Sequence, residues 1–358
     1  MRRKRPSILL LLLLALPVFA AGVRRAKNVI LFLADGGGLP TVNAASIHGY
    51  RKPQALYVQQ MPYIGLSDTS SANNWVTDSA AGMTAVVTGQ KTNNGVISQS
   101  AAAVRGQQDG APLKTILEYA EERGLSTGVL TDSSISDATP AACYAQSNDR
   151  AKQGEIFLQI LKPRFGDGVD LVIGKGRELV LKQTAALGVD IWPALAGKGY
   201  RRVSSPEACR SADARANRLV ALFESEEFQL AEWVDCALTV LSRNSKGFFL
   251  MVELDTHLGE ARKSLEAMIE LDRIVRRTAE RMKGSDTLIL FTADHSYDLH
   301  LPRSGVPGED IVPLMKLEGR HNAEEVIVAA EGPGAEEVRG FLPNTRLFHI
   351  MRSAYGWE

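Results

Sequence analysis

Asn28-Val29-Ile30-Leu31-Phe32-Leu33-Ala34-Asp35 holds an unbroken apolar run, from Val29 on, that leads to a carboxylate. Continuous rather than alternating apolarity marks a strand buried on both faces, as in a parallel sheet covered by helices. The same pattern recurs at Thr127-Gly128-Val129-Leu130, Leu171-Val172-Ile173, Phe248-Phe249-Leu250-Met251-Val252, Leu288-Ile289-Leu290-Phe291 and Val326-Ile327-Val328. Helical stretches lie between them. Leu265, Met268, Ile269, Val275, Ala279 and Met282 fall on one face of a helix that Gly284 can terminate, and Leu113 to Glu122 reads likewise, ending near Gly124. This alternation predicts an α/β fold of three layers, a mostly parallel central sheet with helices on both faces. With no internal repeat and no low-complexity linker, residues 21–358 are expected to form a single domain.

Residues 1–20 stand apart. Four basic residues at Arg2 to Arg5 precede an apolar run, Ile8 to Leu14, and Val18-Phe19-Ala20 supplies small residues for cleavage. That order is the pattern of a secretory signal peptide, and the run is shorter than the ~20 residues needed to span a bilayer. Export to a periplasm or to the exterior is the expected localisation. No second segment is apolar and long enough for a membrane span.

The chain has 41 basic and 41 acidic residues; removing the four in the leader leaves 37 against 41. A slightly acidic protein offers no broad surface for nucleic acid, so any phosphate recognition must be local. Three cysteines, Cys143, Cys209 and Cys236, allow at most one disulfide, with the pair left open. None of them is spaced for metal binding, so the core must hold the fold by burial.

Polar residues gather just beyond the apolar runs: Asp35, Asp132 to Thr139, Glu253 to His257, and Asp294-His295. In open α/β sheets, sites form outside the carboxyl ends of the strands, so these distant segments are expected to converge on one edge. Asp294-His295 offers a carboxylate and an imidazole, both suitable zinc ligands. Thr77-Asp78-Ser79-Ala80-Ala81-Gly82 precedes the small-residue stretch Met83-Thr84-Ala85-Val86-Val87. It reads either as an Asp-Ser helix cap or as a serine set at a helix N-terminus, where an anion is favoured.

Taken in order, these segments resemble the alkaline phosphatase family. Asn28 to Gly38 is similar to that family's opening motif, and Thr77-Asp78-Ser79-Ala80-Ala81 with Thr88-Gly89-Gln90-Lys91-Thr92-Asn93-Asn94-Gly95 resembles its nucleophile segment. Asp137-Ala138-Thr139-Pro140-Ala141-Ala142, Lys246 to Glu253 and Thr292-Ala293-Asp294-His295 look like the third, fourth and fifth motifs. The resemblance implies a secreted phosphate monoester hydrolase in which Ser79 attacks phosphorus and forms a phosphoseryl intermediate. It implies a zinc ion on Asp35, Asp294 and His295, and a magnesium ion on Asp35, Thr139 and Glu253. Arg150, thirteen residues after Asp137, would grip the phosphate. Asp78 would orient that arginine at the substrate, and Asp137 would order magnesium-bound water.

At the second zinc site the chain departs from the family, which places an Asp and, four residues later, a His shortly after the glutamate. Glu253-Leu254-Asp255-Thr256-His257-Leu258-Gly259-Glu260 is shorter, with Gly259 four residues after Asp255. Asp255 and His257 are the expected substitutes, with Glu260 in reserve, and His321 supplies the C-terminal histidine. Two zinc ions, one of them atypically held, and one magnesium are therefore expected. His48, His300 and His349 match no motif.

Between His295 and His321, Pro302, Pro307, Glu309, Asp310 and Pro313 suggest a loop where larger family members carry an extra subdomain. A compact enzyme with an open site follows, a monomer or homodimer acting on small phosphate esters. Two other readings stand beside it: a phosphodiesterase of the same superfamily, and a degraded phosphate- or metal-binding envelope protein. A sulfatase is disfavoured, because its Cys/Ser-x-Pro-x-Arg context is absent.

Overall fold

The computed structural model describes residues 24–212, 218–224, 228–302 and 305–357, so the expected signal peptide at 1–20 lies outside the described residues. The strands are β1 (Asn28–Asp35), β2 (Tyr63–Ser67), β3 (Ser126–Ser134), β4 (Leu171–Lys175), β5 (Tyr200–Arg202) and β6 (Arg218–Phe223). They continue with β7 (Phe248–Asp255), β8 (Thr287–Thr292), β9 (Ser296–His300), β10 (Lys316–Asn322), β11 (Val326–Glu331) and β12 (Gly340–Leu342). Ten of them form one sheet in the order β12-β2-β11-β8-β1-β7-β3-β4-β6-β5, and β9 pairs with β10 in a separate ribbon. Only β11 runs against the rest of the large sheet. The mostly parallel sheet expected from the continuous apolar runs is therefore present, and the Val326-Ile327-Val328 run supplies its one reversed strand.

Every residue of β1 is buried, because side chains on a strand alternate between two covered faces. Val29, Leu31 and Leu33 pack with Met83, Val87, Ala141, Leu347 and Ile350 on one face. Ile30, Phe32 and Ala34 pack with Val42, Trp233, Leu265, Met268 and Val275 on the other. Helices Ser79–Thr88, Ala138–Tyr144 and Arg346–Tyr355 cover the first face; Leu39–Tyr50, Leu230–Leu241 and Ala261–Met282 cover the second. Each fully buried Leu, Ile, Val or Met contributes about 1.5–3 kcal/mol, so the two layers of core dominate the stability. The helix Ala261–Met282 also buries Asp272, whose carboxylate accepts the Val58 N–H at 2.9 Å, so this polar intrusion is satisfied.

Three local outcomes differ from, or complete, what the sequence suggests. The segment read as a loop between His295 and His321 contains the β9–β10 ribbon, antiparallel with an irregular register between Leu317 and His321. The helix expected from Leu113 begins at Ile116, because Thr115 caps it: its hydroxyl accepts the Glu118 N–H at 3.1 Å while Glu118 returns the bond to Thr115 N–H. The single disulfide joins Cys209 to Cys236, and Cys143 is a buried free thiol. Among the described residues, no helix is long and apolar enough to cross a membrane.

The carboxyl ends of β8, β1, β7 and β3 lie side by side. The register aligns Asp35 with Asp255, and Leu33 with both Glu253 and Thr292, while Thr131 pairs with Glu253. Asp35, Glu253 and Asp255 therefore leave the sheet at one edge and on the face carrying the helices Ser79–Thr88 and Ala138–Tyr144. That convergence positions the site.

Candidate metal-centred active site

Ser79 is the first residue of the helix Ser79–Thr88, and Asp78 is its cap, accepting the Ala81 N–H at 3.1 Å. Both readings of this segment thus hold together: the aspartate caps, and the serine stands at a helix N-terminus whose dipole favours an anion. Gly82 is required by contact, since a Cβ there would stand 2.6 Å from the Asp294 carbonyl oxygen. The helix can lie against the Asp294-His295 turn only because that side chain is absent.

Ser79 Oγ stands 3.3 Å from His295 Nε2, and the same nitrogen is 3.2 Å from Asp35 Oδ1 and 3.6 Å from Asp294 Oδ2. Asp35, Asp294 and His295 are all buried, with ligand atoms close enough to share one ion. His257, His295 and His321 form a second set of the same kind, so His295 belongs to both. The rings of His295 and His321 stack at 3.6 Å between centroids, and His257 Nε2 lies 3.3 Å from Asp35 Oδ1.

The three histidines are oriented alike. The Nδ1 of His321 meets the Thr77 carbonyl at 3.0 Å, that of His295 the Ser296 carbonyl at 3.2 Å, and that of His257 the Asp255 carboxylate at 2.5 Å. With an oxygen beside each Nδ1, all three rings turn Nε2 toward the cluster, which is how metal-binding imidazoles are set. Gly36, at φ 71°, makes room for this arrangement, because a Cβ there would meet His257 Cβ at 2.8 Å.

The donor set suits a cation. Asp35 Oδ1 and Asp294 Oδ2 are buried side-chain oxygens with no hydrogen-bond donor among the described residues. Orphaned carboxylate oxygens beside free imidazole nitrogens suit zinc, which takes N and O ligands at about 2.0–2.2 Å. Burial opposes charge on Asp35, but the His295 and His257 rings override it and hold the carboxyl well below its usual range. Burial and the charge of Asp35 raise Asp294 to about 6 and lift Glu253 far above a normal glutamate. Burial opposes charge on His257 too, yet Asp255 and Asp35 push it up to about 9. Burial and the neighbouring His295 depress His321. So much mutually opposed acid in one buried place is the electrostatic situation a divalent cation relieves.

Arg150 forms the other half of the site. Its Nη1 donates to Asp78 at 3.2 Å and its Nη2 to Asp137 at 2.9 Å, using two of the guanidinium's five N–H donors. Burial works against the cation, but these two carboxylates raise its pKa further. Its backbone N–H is tied to the Gly95 carbonyl at 2.8 Å, and Gly95 N–H is in turn tied to Asp78 at 2.9 Å.

Of the remaining expected residues, Thr139 is buried in the first turn of Ala138–Tyr144, and Glu253 is buried at the end of β7. Glu253 accepts the Thr131 hydroxyl at 2.6 Å. Asp255 sits behind His257 instead of joining either cluster of ligand atoms, and its backbone N–H donates to Asp132 at 2.9 Å. Glu260 is exposed and paired with Lys263 at 3.1 Å, so it stays outside. His48 faces Asp310 at 3.6 Å. Thr131 and the Thr77 carbonyl are supports that no motif marks, whereas Asp132 opens the polar run Asp132 to Thr139. Thr131 lies beside that run within β3; a backbone carbonyl has no sequence signal at all.

Comparison with known proteins finds relatives for the chain as a whole. A family model described as alkaline phosphatase matches residues 26–186 and 220–318. The mouse tissue-nonspecific alkaline phosphatase is 29% identical over 391 aligned positions, covering 92% of this chain and 75% of that protein. The solved alkaline phosphatase of the Antarctic bacterium TAB5 is 26% identical and superposes with a TM-score of 0.79, covering 94% of this chain and 99% of that one. A variant of that enzyme, described as having Mg bound in its M3 site, superposes equally well at 27% identity.

Proposed function

This chain belongs to the alkaline phosphatase family, and on that premise we propose that it is an exported phosphate monoester hydrolase with Ser79 as nucleophile. The observation that carries the reading is Ser79 Oγ at 3.3 Å from His295 Nε2, at a helix N-terminus and beside the orphaned Asp35 and Asp294 oxygens. Asp35, Asp294 and His295 would hold one zinc; His257 and His321 would hold the other, with Asp255 bracing His257. Asp35, Thr139 and Glu253 offer the oxygens that suit magnesium. When bound, these ions supply Lewis acidity that lowers the serine pKa and stabilises charge on the leaving oxygen.

The protein's own groups do the rest. Ser79 Oγ forms a bond to phosphorus as the ester oxygen departs with the leaving alcohol, giving a phosphoseryl group. Water then attacks that phosphorus and releases inorganic phosphate with Ser79 restored. Arg150, held flat by Asp78 and Asp137, presents its remaining N–H donors to two phosphate oxygens. The first-turn N–H groups of Ser79–Thr88 add to the anion's stabilisation. Residues 21–358 act as one catalytic domain in this reading, and the Cys209–Cys236 disulfide suits an oxidising compartment.

The test is hydrolysis of p-nitrophenyl phosphate with zinc and magnesium supplied, beside Ser79→Ala. Loss of turnover in a variant that keeps its metal content supports the phosphoseryl route. Near-normal turnover in that variant would remove Ser79 from the mechanism.

A further inference from the structure

The β9–β10 ribbon has two faces, and both carry side chains of the types that bind metals. Its inner face turns Tyr297, Leu299, Leu317 and His321 toward the protein, with His321 in the cluster already described. Asp298 and His300, two residues apart on β9, share the outer face, since strand side chains alternate. Opposite them the ribbon is irregular: Glu318, Gly319 and Arg320 on β10 stand across from Asp298 alone. The bulge turns on Gly319, at φ 76°, and it brings Glu318 toward His300. Bulges of this kind re-aim a side chain at a cost in ladder bonds.

His300 Nε2 is 3.0 Å from Asp298 Oδ1 and 3.8 Å from Glu318 Oε1, and the three ligand atoms all lie within 4.8 Å of one another. Ligand atoms on a tetrahedral zinc at ~2.0–2.2 Å stand about 3.3 Å apart, between the two histidine distances. Two carboxylates face each other across the ribbon here, an arrangement that is destabilising without a counter-charge. Arg320 and Lys316 make no ion pair with either carboxylate among the described residues, so His300 is the basic group that faces both of them there.

We propose that Asp298, His300 and Glu318 form a third zinc site on the outer face of the β9–β10 ribbon, back to back with the catalytic cluster on its inner face. One imidazole nitrogen, two carboxylate oxygens and a water complete a four-coordinate sphere. The ribbon makes no ladder with the ten-stranded sheet, so a cation that ties β9 to β10 fixes the element presenting His321. The site binds more weakly than the inner ones, because its ligands are exposed and must be drawn together.

The experiment is a calorimetric zinc titration of the metal-stripped full chain, run in parallel on His300→Ala and on Glu318→Gln. The parent is expected to bind one equivalent more than either variant, in the weakest phase. Amide exchange in β9 and β10 should slow as that phase fills, in the parent only. Both variants are expected to keep the tighter equivalents and, at saturating zinc, near-parental p-nitrophenyl phosphate hydrolysis, which separates this site from the proposed chemistry at Ser79. Equal stoichiometry in parent and variants, or no zinc-dependent protection of the ribbon in the parent, overturns the proposal.

Discussion

Asp255 Oδ1 lies 2.5 Å from His257 Nδ1, while the other ring nitrogen of His257 faces Asp35 at 3.3 Å. The carboxylate therefore sits behind the imidazole, in the relay that fixes the tautomer and raises the basicity of a metal-binding histidine. It follows that the two residues should fail differently. His257→Ala should lose about one zinc equivalent per chain. Asp255→Asn should keep full stoichiometry at saturating zinc but bind that equivalent ~10–100-fold more weakly. Zinc titration with elemental analysis distinguishes them, and an Asp255→Asn chain that lacks the equivalent outright would make Asp255 a direct ligand.

Arg150 is braced by Asp78 and Asp137 and has little freedom to leave the site. Charge-assisted hydrogen bonds to an anion contribute about 1.5–3 kcal/mol. Arg150→Ala should therefore weaken competitive inhibition by inorganic phosphate by ~10–100-fold, with zinc content unchanged. Inhibition at the parental level would place the phosphate grip elsewhere.

Gly82 offers a test of how tightly the serine helix is seated. An added Cβ would lie 2.6 Å from the Asp294 carbonyl, a backbone atom that cannot swing aside. Overpacking of this kind costs about 1–3 kcal/mol, and here the displaced element carries Asp294 and His295. Gly82→Ala should lower kcat more than tenfold while the chain still folds, as judged by far-ultraviolet circular dichroism. A variant with parental kcat would show that the helix and the Asp294 turn can separate without harm.

These residues also show what a sequence can and cannot display. β1, β3, β4, β7, β8 and β11 were legible because burial on both faces writes an unbroken apolar run. β9 was not: Ser296-Tyr297-Asp298-Leu299-His300 alternates, one side wet, and the prolines around Pro307 speak for a loop. β12 has three residues with Phe341 exposed, and β2 contains Gly65, so neither has the length or the pattern of a strand. Asp35, Asp294 and His295 could be picked out because each stands at or just beyond the end of a buried strand. The positions of Asp255 and His257 could not be told apart, since that depends on how the chain turns after β7. The carbonyl of Thr77 that orients His321 is a backbone atom and leaves no trace in the residue types.

Far from the site, at the amino ends of β3 and β4, two buried acids share one place. Glu121 accepts the Thr127 hydroxyl and, at 3.0 Å, the Gly168 N–H, while Asp170 accepts the Thr127 N–H at 2.8 Å. Burial, and secondarily the charge of Asp170, pushes Glu121 up to about 8; burial raises Asp170 to about 7. In the unfolded chain both would titrate near their ordinary values, about 4. Between those limits the folded state keeps protons that the unfolded state has released, so stability falls as pH rises, by up to about 1.4 kcal/mol per pH unit for each group. The loss begins above the unfolded values and is complete above about pH 8, where both groups are ionised in either state. Thermal unfolding of the parent should accordingly show Tm declining from pH 5 to pH 8 and then levelling as far as these groups are concerned. Glu121→Gln removes one of the two protons from the balance. Its Tm should stay near the parent's at pH 5, where the amide, like the protonated acid, offers an oxygen to the Gly168 N–H and a donor to the Thr127 hydroxyl, but its decline toward pH 8 should be about half as steep. A parent Tm that is flat or rising over that window would mean that Glu121 and Asp170 ionise in the folded protein as they do in the unfolded chain.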